Sequence, residues 1–331
     1  MMVLRAGVMG LGVMGRNHAR ILAGLTGVEF VGVFDPAEST PDFVHDRPVF
    51  RDLDEFLAQD LSYVVVAAPT VYHLEMGTRL AESGIHALIE KPVASTSEDA
   101  RALRDLFDAK GLIGGVGHIE RYNPALQAAR QRIEAGLLGD IYQVTTRRQG
   151  PFPGRIADVG VIKDLATHDI DLTAWVTQQQ YVSVNARTTF RSGRPHEDMV
   201  LAVGTLSSGT ITSHTVNWLT PFKERTTVIT GEKGSLVADT LTADLTYFKN
   251  GTIRSEWEQV STFRGVVEGD VTRFALERRE PLLAEHEAFR DSVINGAAKG
   301  IVTLDEGAKV VQIAERMAAD GLLHRPSAVV E

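Results

Sequence analysis

The chain has 331 residues, of which 44% are hydrophobic and none is cysteine, and its formal net charge at pH 7 is −9. This length and apolar content predict a globular protein with two hydrophobic cores. The lack of cysteine excludes disulfides and thiolate chemistry, and the negative charge argues against a nucleic-acid or anionic-membrane partner. Because the N-terminus has no basic leader and no apolar run approaches about 18 residues, a soluble cytoplasmic protein is expected.

The first predicted elements are a strand, a glycine turn and a helix. Leu4 to Val8 is apolar and leads into a turn made of Gly10, Leu11, Gly12, Val13, Met14 and Gly15. Glycines at such a turn let the backbone bend sharply and let a pyrophosphate approach the amides at a helix N-terminus. The turn therefore predicts a dinucleotide site, with a purely structural glycine turn as the alternative.

A second apolar strand strengthens the dinucleotide interpretation. It runs from Val28 to Phe34 and ends at Asp35, at about the expected 20-residue distance from the last glycine. An acidic side chain in this place can hold both adenosine ribose hydroxyls and repels a 2′-phosphate. The sequence therefore favours NAD over NADP as the cofactor.

Strands and helices continue to alternate up to about residue 117. The strand Tyr63 to Ala67 is apolar on both faces, as in a parallel sheet, and ends at Ala68-Pro69-Thr70. After a helix, the strand Ala87 to Ile89 stops at Glu90-Lys91-Pro92. Because ligands bind at the carboxyl ends of parallel strands, Lys91 is a candidate to stabilise a substrate alkoxide. The alternative is an ordinary surface lysine.

The second half of the chain is rich in predicted strands. We expect a Rossmann domain over residues 1–120 and an α+β domain over 121–331, whose strands pair consecutively in one large, mostly antiparallel, open-faced sheet. Three predicted helices should cover one side of this sheet, at Lys163–Val176, Pro281–Asn295 and Asp305–Ala319. The other side should pack against a second subunit, which predicts a homodimer or homotetramer.

The first of these helices carries ionisable groups at helical spacing. Asp164, His168 and Asp171 recur at i, i+4 and i+7, and therefore share one face. An imidazole held by a carboxylate is suited to exchange a proton near neutral pH. An exposed polar face and a metal site are the alternatives. Since no cysteine or second histidine adjoins the group, no metal is predicted.

A run of basic residues precedes this helix. Three arginines and no carboxylate lie between Ile141 and Ala157, namely Arg147, Arg148 and Arg155. Guanidinium groups bind phosphate in bidentate fashion, so this run is a candidate seat for an anionic substrate part such as the diphosphate of a nucleotide sugar. The alternative is a basic segment that pairs with acidic neighbours.

Taken in order, the motifs resemble the glucose-fructose oxidoreductase / inositol dehydrogenase / rhizopine catabolism family of NAD(P)-dependent sugar oxidoreductases. The matching residues are Gly10 to Gly15, Asp35, Ala68-Pro69-Thr70 with His73, Glu90-Lys91-Pro92, and Asp164 with His168. The resemblance implies a catalytic trio of Lys91, Asp164 and His168. It also implies cofactor contacts from the strand-end residues Ala68, Pro69, Thr70, His73, Glu90 and Lys91.

Two further segments, Gly117 to Pro124 and Gly150 to Pro153, look similar to family members that act on UDP-N-acetylglucosamine at C3. The expected substrate contacts are therefore Arg121, Asn123, Arg147, Arg155, Asp164 and His168. The resemblance implies oxidation of a secondary ring hydroxyl, with His168 as the base. A dehydrogenase of a free polyol such as myo-inositol and a non-catalytic NAD-binding sensor are the alternatives.

Overall fold

The computed structural model describes residues 3–154, 159–251 and 268–324. The chain divides into two compact units, which are described separately. Unit 1 consists of Met1–Ile119 with Glu280–Glu315, and unit 2 of Glu120–Arg279 with Arg316–Glu331. Over the described ranges, none of the helices combines the length and apolar character needed to span a membrane.

Unit 1 is built on a seven-stranded sheet with the order β3-β4-β2-β1-β5-β6-β7. Its strands are β1 Leu4–Met9, β2 Val28–Phe34, β3 Phe43–Val44, β4 Arg47–Phe50, β5 Tyr63–Val66, β6 His86–Glu90 and β7 Gly114–Gly117. All neighbours pair in parallel except β3 and β4. The helices are Val13–Gly24, Leu53–Leu57, His73–Glu82, Ser97–Ala109, Pro281–Asn295 and the first part of Leu304–Leu323, with 3₁₀ turns at Thr70–Tyr72 and Ile119–Tyr122.

Two of these helices come from the end of the chain and correct a prediction. The prediction that they lie on the sheet of the second half is wrong for Pro281–Asn295 and for the portion of Leu304–Leu323 up to Glu315. The ring of Phe289 packs edge-on against Tyr63 of β5 at 5.3 Å between centroids, and a side chain at Gly115 would come within 2.9 Å of Phe289. The unit 1 sheet is therefore shaped to receive this helix.

Unit 2 is built on an eight-stranded sheet with the order β15-β14-β13-β12-β8-β11-β10-β9. Its strands are β8 Ile141–Pro151, β9 Tyr181–Thr189, β10 Met199–Leu206, β11 Ile211–Asn217, β12 Leu219–Gly231, β13 Gly234–Asp239, β14 Asp244–Asn250 and β15 Glu268–Phe274. The helical segments are Pro124–Glu134, a π-helix at Ile162–Ala166, Thr167–Thr177 and the end of Leu304–Leu323. The predicted fold class, a Rossmann domain plus an α+β domain with a large, mostly antiparallel sheet, is confirmed.

Consecutive pairing of all the strands in this sheet is the part of the prediction that is wrong. Strand β8 inserts between β11 and β12, pairing in parallel with β11 and antiparallel with β12. Only Trp218 joins β11 to β12, and Asn217 stabilises the crossing, since its Oδ1 accepts hydrogen bonds from Leu219 N and Thr220 N at 2.9 Å. Its amide also donates to Gln149 on β8. The pairing of β8 and the bond between Asn217 and Gln149 are long-range contacts that turn signals do not reveal.

The two faces of the unit 2 sheet differ. One is covered by the helices Pro124–Glu134 and Thr167–Thr177, with a core that includes Leu126, Val144 and Ile229. The opposite face carries exposed apolar side chains at Leu201, Val203 and Ile211. The predicted homo-oligomer through this face stays a prediction.

Candidate active site

The glycine turn in unit 1 is shaped by two glycines and left open by a third. Gly10 has φ +93°, and a Cβ atom there would lie 2.8 Å from Ala68 N. A Cβ atom at Gly15 would lie 1.9 Å from the carbonyl oxygen of Gly10. At Gly12, by contrast, no atom of the described residues lies within 4 Å of the Cβ position. Gly10 and Gly15 therefore form the turn, and Gly12 leaves space in front of the helix.

This space fits the pyrophosphate of a dinucleotide. Helix Val13–Gly24 begins after Gly12, and no side chain of the described residues caps it, so its first amides can donate to phosphate oxygens. Asp35 at the end of β2 accepts hydrogen bonds from Leu11 N at 2.7 Å and from Ala37 N at 2.9 Å, one on each oxygen. Each carboxylate oxygen retains acceptor capacity for a ribose hydroxyl.

Arg51, which the sequence did not single out, supports the loop that follows Asp35. Its guanidinium donates to the carbonyl oxygens of Asp35 and Ala37, both at 2.9 Å. The bonds fix the backbone around the Asp35 carboxylate. The residue is recognisable only in three dimensions, because most of its partners are backbone carbonyl oxygens and do not form a motif.

The ends of strands β5 and β6 are joined by a buried histidine. The ring of His73 lies between two carbonyl oxygens, with Nδ1 3.0 Å from that of Pro92 and Nε2 2.9 Å from that of Ala68, and a neutral ring donates to one of the two. Burial lowers the pKa of His73 despite these bonds. The peptide bond between Lys91 and Pro92 is cis. Both ring nitrogens of His73 face carbonyl oxygens of the loops, and its direct contact with the cofactor stays a prediction, as do those of Pro69 and Thr70.

In unit 2, Asp164 and His168 lie where a π-helix passes into an α-helix. The amide of Thr167 donates to the carbonyl oxygen of Ile162, which closes the π-turn. Asp164 lies in this turn and His168 in the first turn of the α-helix, and they are only 8% and 9% exposed. The alternative of a solvent-exposed polar face is therefore wrong. Such π-turns occur frequently at functional sites.

Asp171, the third member of the predicted face, has another partner. Its carboxylate binds the guanidinium of Arg121, with Nη2 at 2.6 Å and Nε at 2.9 Å, and both side chains are buried. Asn123 caps helix Pro124–Glu134 by accepting from Ala125 N, and its amide donates to the carbonyl oxygen of Thr240. Arg121 and Asn123 thus support the unit 2 framework, and their contact with substrate stays a prediction.

The predicted basic run does not act as one surface. Arg148 is buried and binds Glu120 at 2.7 Å and Asp169 at 2.9 Å. Burial opposes its charged form, but the two carboxylates outweigh this effect and raise its pKa, while burial raises the pKa of Asp169. Arg147 is 61% exposed and 3.7 Å from Glu224. For Arg148 the interpretation as a paired basic residue is the correct one.

Arg155 lies outside the described residues, and its contact with substrate, like that of Arg147, stays a prediction. A fourth arginine, which the sequence did not reveal, lies beside Arg148. Arg225 on β12 is opposite Arg148 in the strand register, on the helix-facing side of the sheet. Its Nη1 donates to the carbonyl oxygens of Gln149 and Glu224, and within the described ranges no carboxylate forms an ion pair with it.

The charges around Arg225 make it a candidate anion-binding group. Burial and then the neighbouring Arg148 lower its pKa, and the carboxylates of Asp169, Glu120 and Asp164 act in the opposite direction. A guanidinium without a directly bonded carboxylate retains donors for an incoming anion. The alternation of buried Thr227 and Ile229 along β12 is the signal that could have placed it on the helix-facing side.

Two family models match the chain. One, described as the oxidoreductase family with an NAD-binding Rossmann fold, covers residues 4–118, and the other, the GFO/IDH/MocA C-terminal domain, covers residues 126–237. The chain belongs to the Gfo/Idh/MocA family of oxidoreductases. As a member of this family it is an NAD-dependent enzyme of the sugar and polyol dehydrogenases, so the NAD prediction is confirmed and the sensor alternative is not supported.

Individual relatives within the family differ in substrate. The chain is 35% identical over 214 residues to UDP-N-acetylglucosamine 3-dehydrogenase of Acidithiobacillus ferrooxidans. This alignment covers 64% of this chain and 66% of the relative. It is 25% identical over 319 residues to scyllo-inositol 2-dehydrogenase (NAD(+)) of Bacillus subtilis, and this alignment covers 91% of this chain and 90% of the relative. The solved structure of the A. ferrooxidans enzyme superposes on this chain with a TM-score of 0.83 at 27% identity. The superposition covers 98% of this chain and 100% of the solved one.

Proposed function

We propose that this family member oxidises a secondary ring hydroxyl of a nucleotide sugar, with UDP-N-acetylglucosamine as the candidate substrate and C3 as the candidate carbon. The observation that carries the proposal is the pair of Asp164 and His168 on one nearly buried helical turn, in a chain whose NAD-binding unit presents Lys91 at a strand end. A shielded imidazole beside a carboxylate is suited to accept a hydroxyl proton.

Each of the three residues has a separate task in the proposed reaction. His168 removes the proton of the hydroxyl group that is oxidised. Lys91 stabilises the negative charge that develops on the same oxygen, and Asp164 orients the imidazole. NAD supplies the hydride acceptor, so the work of the chain is binding, alignment and proton transfer.

The nucleotide part of the proposal has two supports. One is the similarity to UDP-N-acetylglucosamine 3-dehydrogenase. The other is Arg225, whose guanidinium has no ion-pair partner among the described residues and lies near enough to Asp164 for their charges to interact. We assign the substrate diphosphate to Arg225, because Arg148 and Arg121 are already neutralised by carboxylates.

A free polyol is the second candidate substrate. The observation in its favour is the alignment with scyllo-inositol 2-dehydrogenase, which extends over 91% of this chain. An enzyme for such a substrate would need no anion-binding arginine. Its activity would therefore be indifferent to replacement of Arg225.

Formation of NADH at 340 nm tests the proposal with a panel of substrates. We expect turnover with NAD and UDP-N-acetylglucosamine and at least about tenfold lower kcat/KM with N-acetylglucosamine or myo-inositol, since these lack the diphosphate and its charged hydrogen bonds. If myo-inositol is turned over at an equal or higher kcat/KM, the free polyol and not the nucleotide sugar is the preferred substrate. No NADH from any of them would contradict both.

We also propose that two copies of the chain pack through the exposed face of the unit 2 sheet. Leu201, Val203 and Ile211 are large apolar side chains on this face, and water contact with a contiguous apolar surface is unfavourable. Light scattering at micromolar concentration should give at least twice the mass of one chain. A monomer at that concentration would contradict the proposal.

A further inference from the structure

A chain of three buried side chains in unit 1 leads to the backbone of Lys91. His286 Nε2 lies 2.8 Å from His18 Nδ1, and His18 Nε2 lies 2.9 Å from Glu90 Oε1. The second oxygen of Glu90 accepts a hydrogen bond from the Lys91 amide at 3.0 Å. His18 and His286 are 0% exposed and Glu90 is 7% exposed. The contacts therefore form a continuous path shielded from water.

The three residues come from three different elements. His18 lies on the helix that begins at the glycine turn, Glu90 is the last residue of β6, and His286 lies on helix Pro281–Asn295. The neighbouring backbone is adapted to this carboxylate, because a side chain at Gly117 would come within 3.2 Å of the Glu90 carboxyl group. The hydrogen-bonded side chains of His286, His18 and Glu90 therefore link the helix after the glycine turn, the end of β6 and a C-terminal helix.

The protonation states of these buried side chains are consistent with a fixed Glu90 carboxylate. Burial alone would raise the pKa of Glu90, but the His18 hydrogen bond and the charges of His18 and Lys91 outweigh it and lower the pKa. Burial, followed by the influence of His18, lowers the pKa of His286 well below the ordinary range, so His286 is neutral. The contact between a neutral His286 and His18 carries one proton, donated by His286 Nε2 if the His18 ring is neutral and by His18 Nδ1 if it is charged, and in both cases His18 Nε2 can donate to Glu90.

Such a carboxylate is held in one orientation. A buried ionised group needs hydrogen-bond donors, and Glu90 has two, the His18 ring and the Lys91 amide. If the ring were lost, the carboxylate would turn to find another donor and would release the amide of Lys91. The backbone from which the lysine side chain projects would then lose its fixed position.

We propose that His18 and His286 are positioning residues for Lys91 and act on it through Glu90. The proposal rests on the proposed function, in which the Lys91 ammonium stabilises the substrate oxygen. The histidines touch neither substrate nor the reacting atoms. They determine where the ammonium is held, and a displacement of about 1 Å at a reacting centre can cost up to about a hundredfold in rate.

A double-mutant cycle on the full chain tests this role with Glu90→Gln, His286→Gln and Lys91→Ala. Steady-state NADH formation at saturating UDP-N-acetylglucosamine gives kcat, and NAD titrations give the cofactor affinity. We expect Glu90→Gln to lower kcat by about tenfold and His286→Gln by about threefold, with the NAD affinity of His286→Gln changed less than about twofold. In the Lys91→Ala background the same two changes should cost less than about twofold, because the group they position is gone.

The matched control is His214→Asn, which alters a buried histidine of unit 2 that bonds to Thr146 and Tyr181. Its effect on kcat should be small and identical in both backgrounds. Equal losses from Glu90→Gln in the presence and absence of Lys91 would overturn the positioning role, and so would losses of melting temperature with no loss of kcat. If Glu90→Gln fails to fold, His286→Gln carries the test. Near wild-type turnover in Lys91→Ala would instead overturn the proposed role of Lys91.

Discussion

The two units fix their functional residues by different means. In unit 1 the predicted cofactor site is held mainly by the backbone, since Gly10 and Gly15 shape the glycine turn and Asp35 accepts hydrogen bonds from the amides of Leu11 and Ala37. In unit 2 the helix that carries His168 is surrounded by buried ion pairs such as Arg148 with Asp169. A site shaped by the backbone should be most sensitive to substitutions that add bulk at its glycines. A site surrounded by ion pairs should be most sensitive to substitutions that remove a charge.

The largest effect is expected at the proposed proton acceptor of unit 2. His168→Ala should lower kcat by about a hundredfold or more, because a positioned general base typically contributes that much, while the affinity for NAD is unchanged. Steady-state kinetics at 340 nm and NAD titration measure the two quantities. Turnover near that of the wild type would exclude His168 from the proton transfer.

The glycine turn of unit 1 offers a test of shape. Gly12→Ala should leave the melting temperature within about 2 °C, since its Cβ meets no described atom within 4 Å, but should weaken NAD binding by about thirtyfold by filling the pyrophosphate space.

Gly15→Ala is the matched comparison, because its Cβ would lie 1.9 Å from the Gly10 carbonyl oxygen. It should lower the melting temperature by several degrees as well as weaken NAD binding. Thermal melts and NAD titrations of the two variants give the comparison. Equal melting temperatures for both would show that the backbone does not constrain this turn.

Arg225 offers the corresponding test of charge in unit 2. Arg225→Gln should raise KM for UDP-N-acetylglucosamine by about tenfold, the scale of a lost charged hydrogen bond, and leave KM for NAD unchanged. Arg273→Gln is the matched control, since Arg273 is exposed, pairs with Asp244, and lies on β15, three strands from β12. If Arg225→Gln leaves KM for UDP-N-acetylglucosamine unchanged, Arg225 does not bind the substrate.

The smallest effect is a dependence of stability on pH. Burial lowers the pKa of His214 from 6.5 to about 4. The unfolded chain takes up this proton near pH 6.5, so stability is fully present above that pH and is lost as the pH falls towards 4, by at most about 1.4 kcal/mol per pH unit. Denaturant unfolding of the wild type and of His214→Asn measures the slopes. A slope that His214→Asn leaves unchanged would assign the loss to other groups.

The sequence alone predicts most of the features that are local. The glycine turn, Asp35 after β2 and Lys91 after β6 each follow a short strand, and their order along the chain is enough to predict a Rossmann domain. The pair of Asp164 and His168 is predicted in the same way, by helical spacing. The π-turn that precedes His168 is not predicted, because it depends on how the surrounding unit 2 holds the segment.

Features that depend on distant partners are missed. Arg121 and Asp171 are 50 positions apart, and nothing in the basic run distinguishes an arginine that has a carboxylate partner from one that lacks it. For the same reason the sequence does not reveal Arg225, and the predicted position of helix Pro281–Asn295 on the second sheet is wrong. The insertion of β8 between β11 and β12 likewise follows from pairing over 68 positions and not from turns.

Transfer of deuterium from the sugar to the cofactor tests the central claim most directly. UDP-N-acetylglucosamine deuterated at C3 is incubated with the enzyme and NAD, and the reduced cofactor is examined by mass spectrometry. Hydride abstraction at C3 predicts one deuterium in the NADH and a slower rate than with unlabelled substrate. NADH that contains no deuterium, or no NADH at all, would contradict the assignment of this carbon and this substrate.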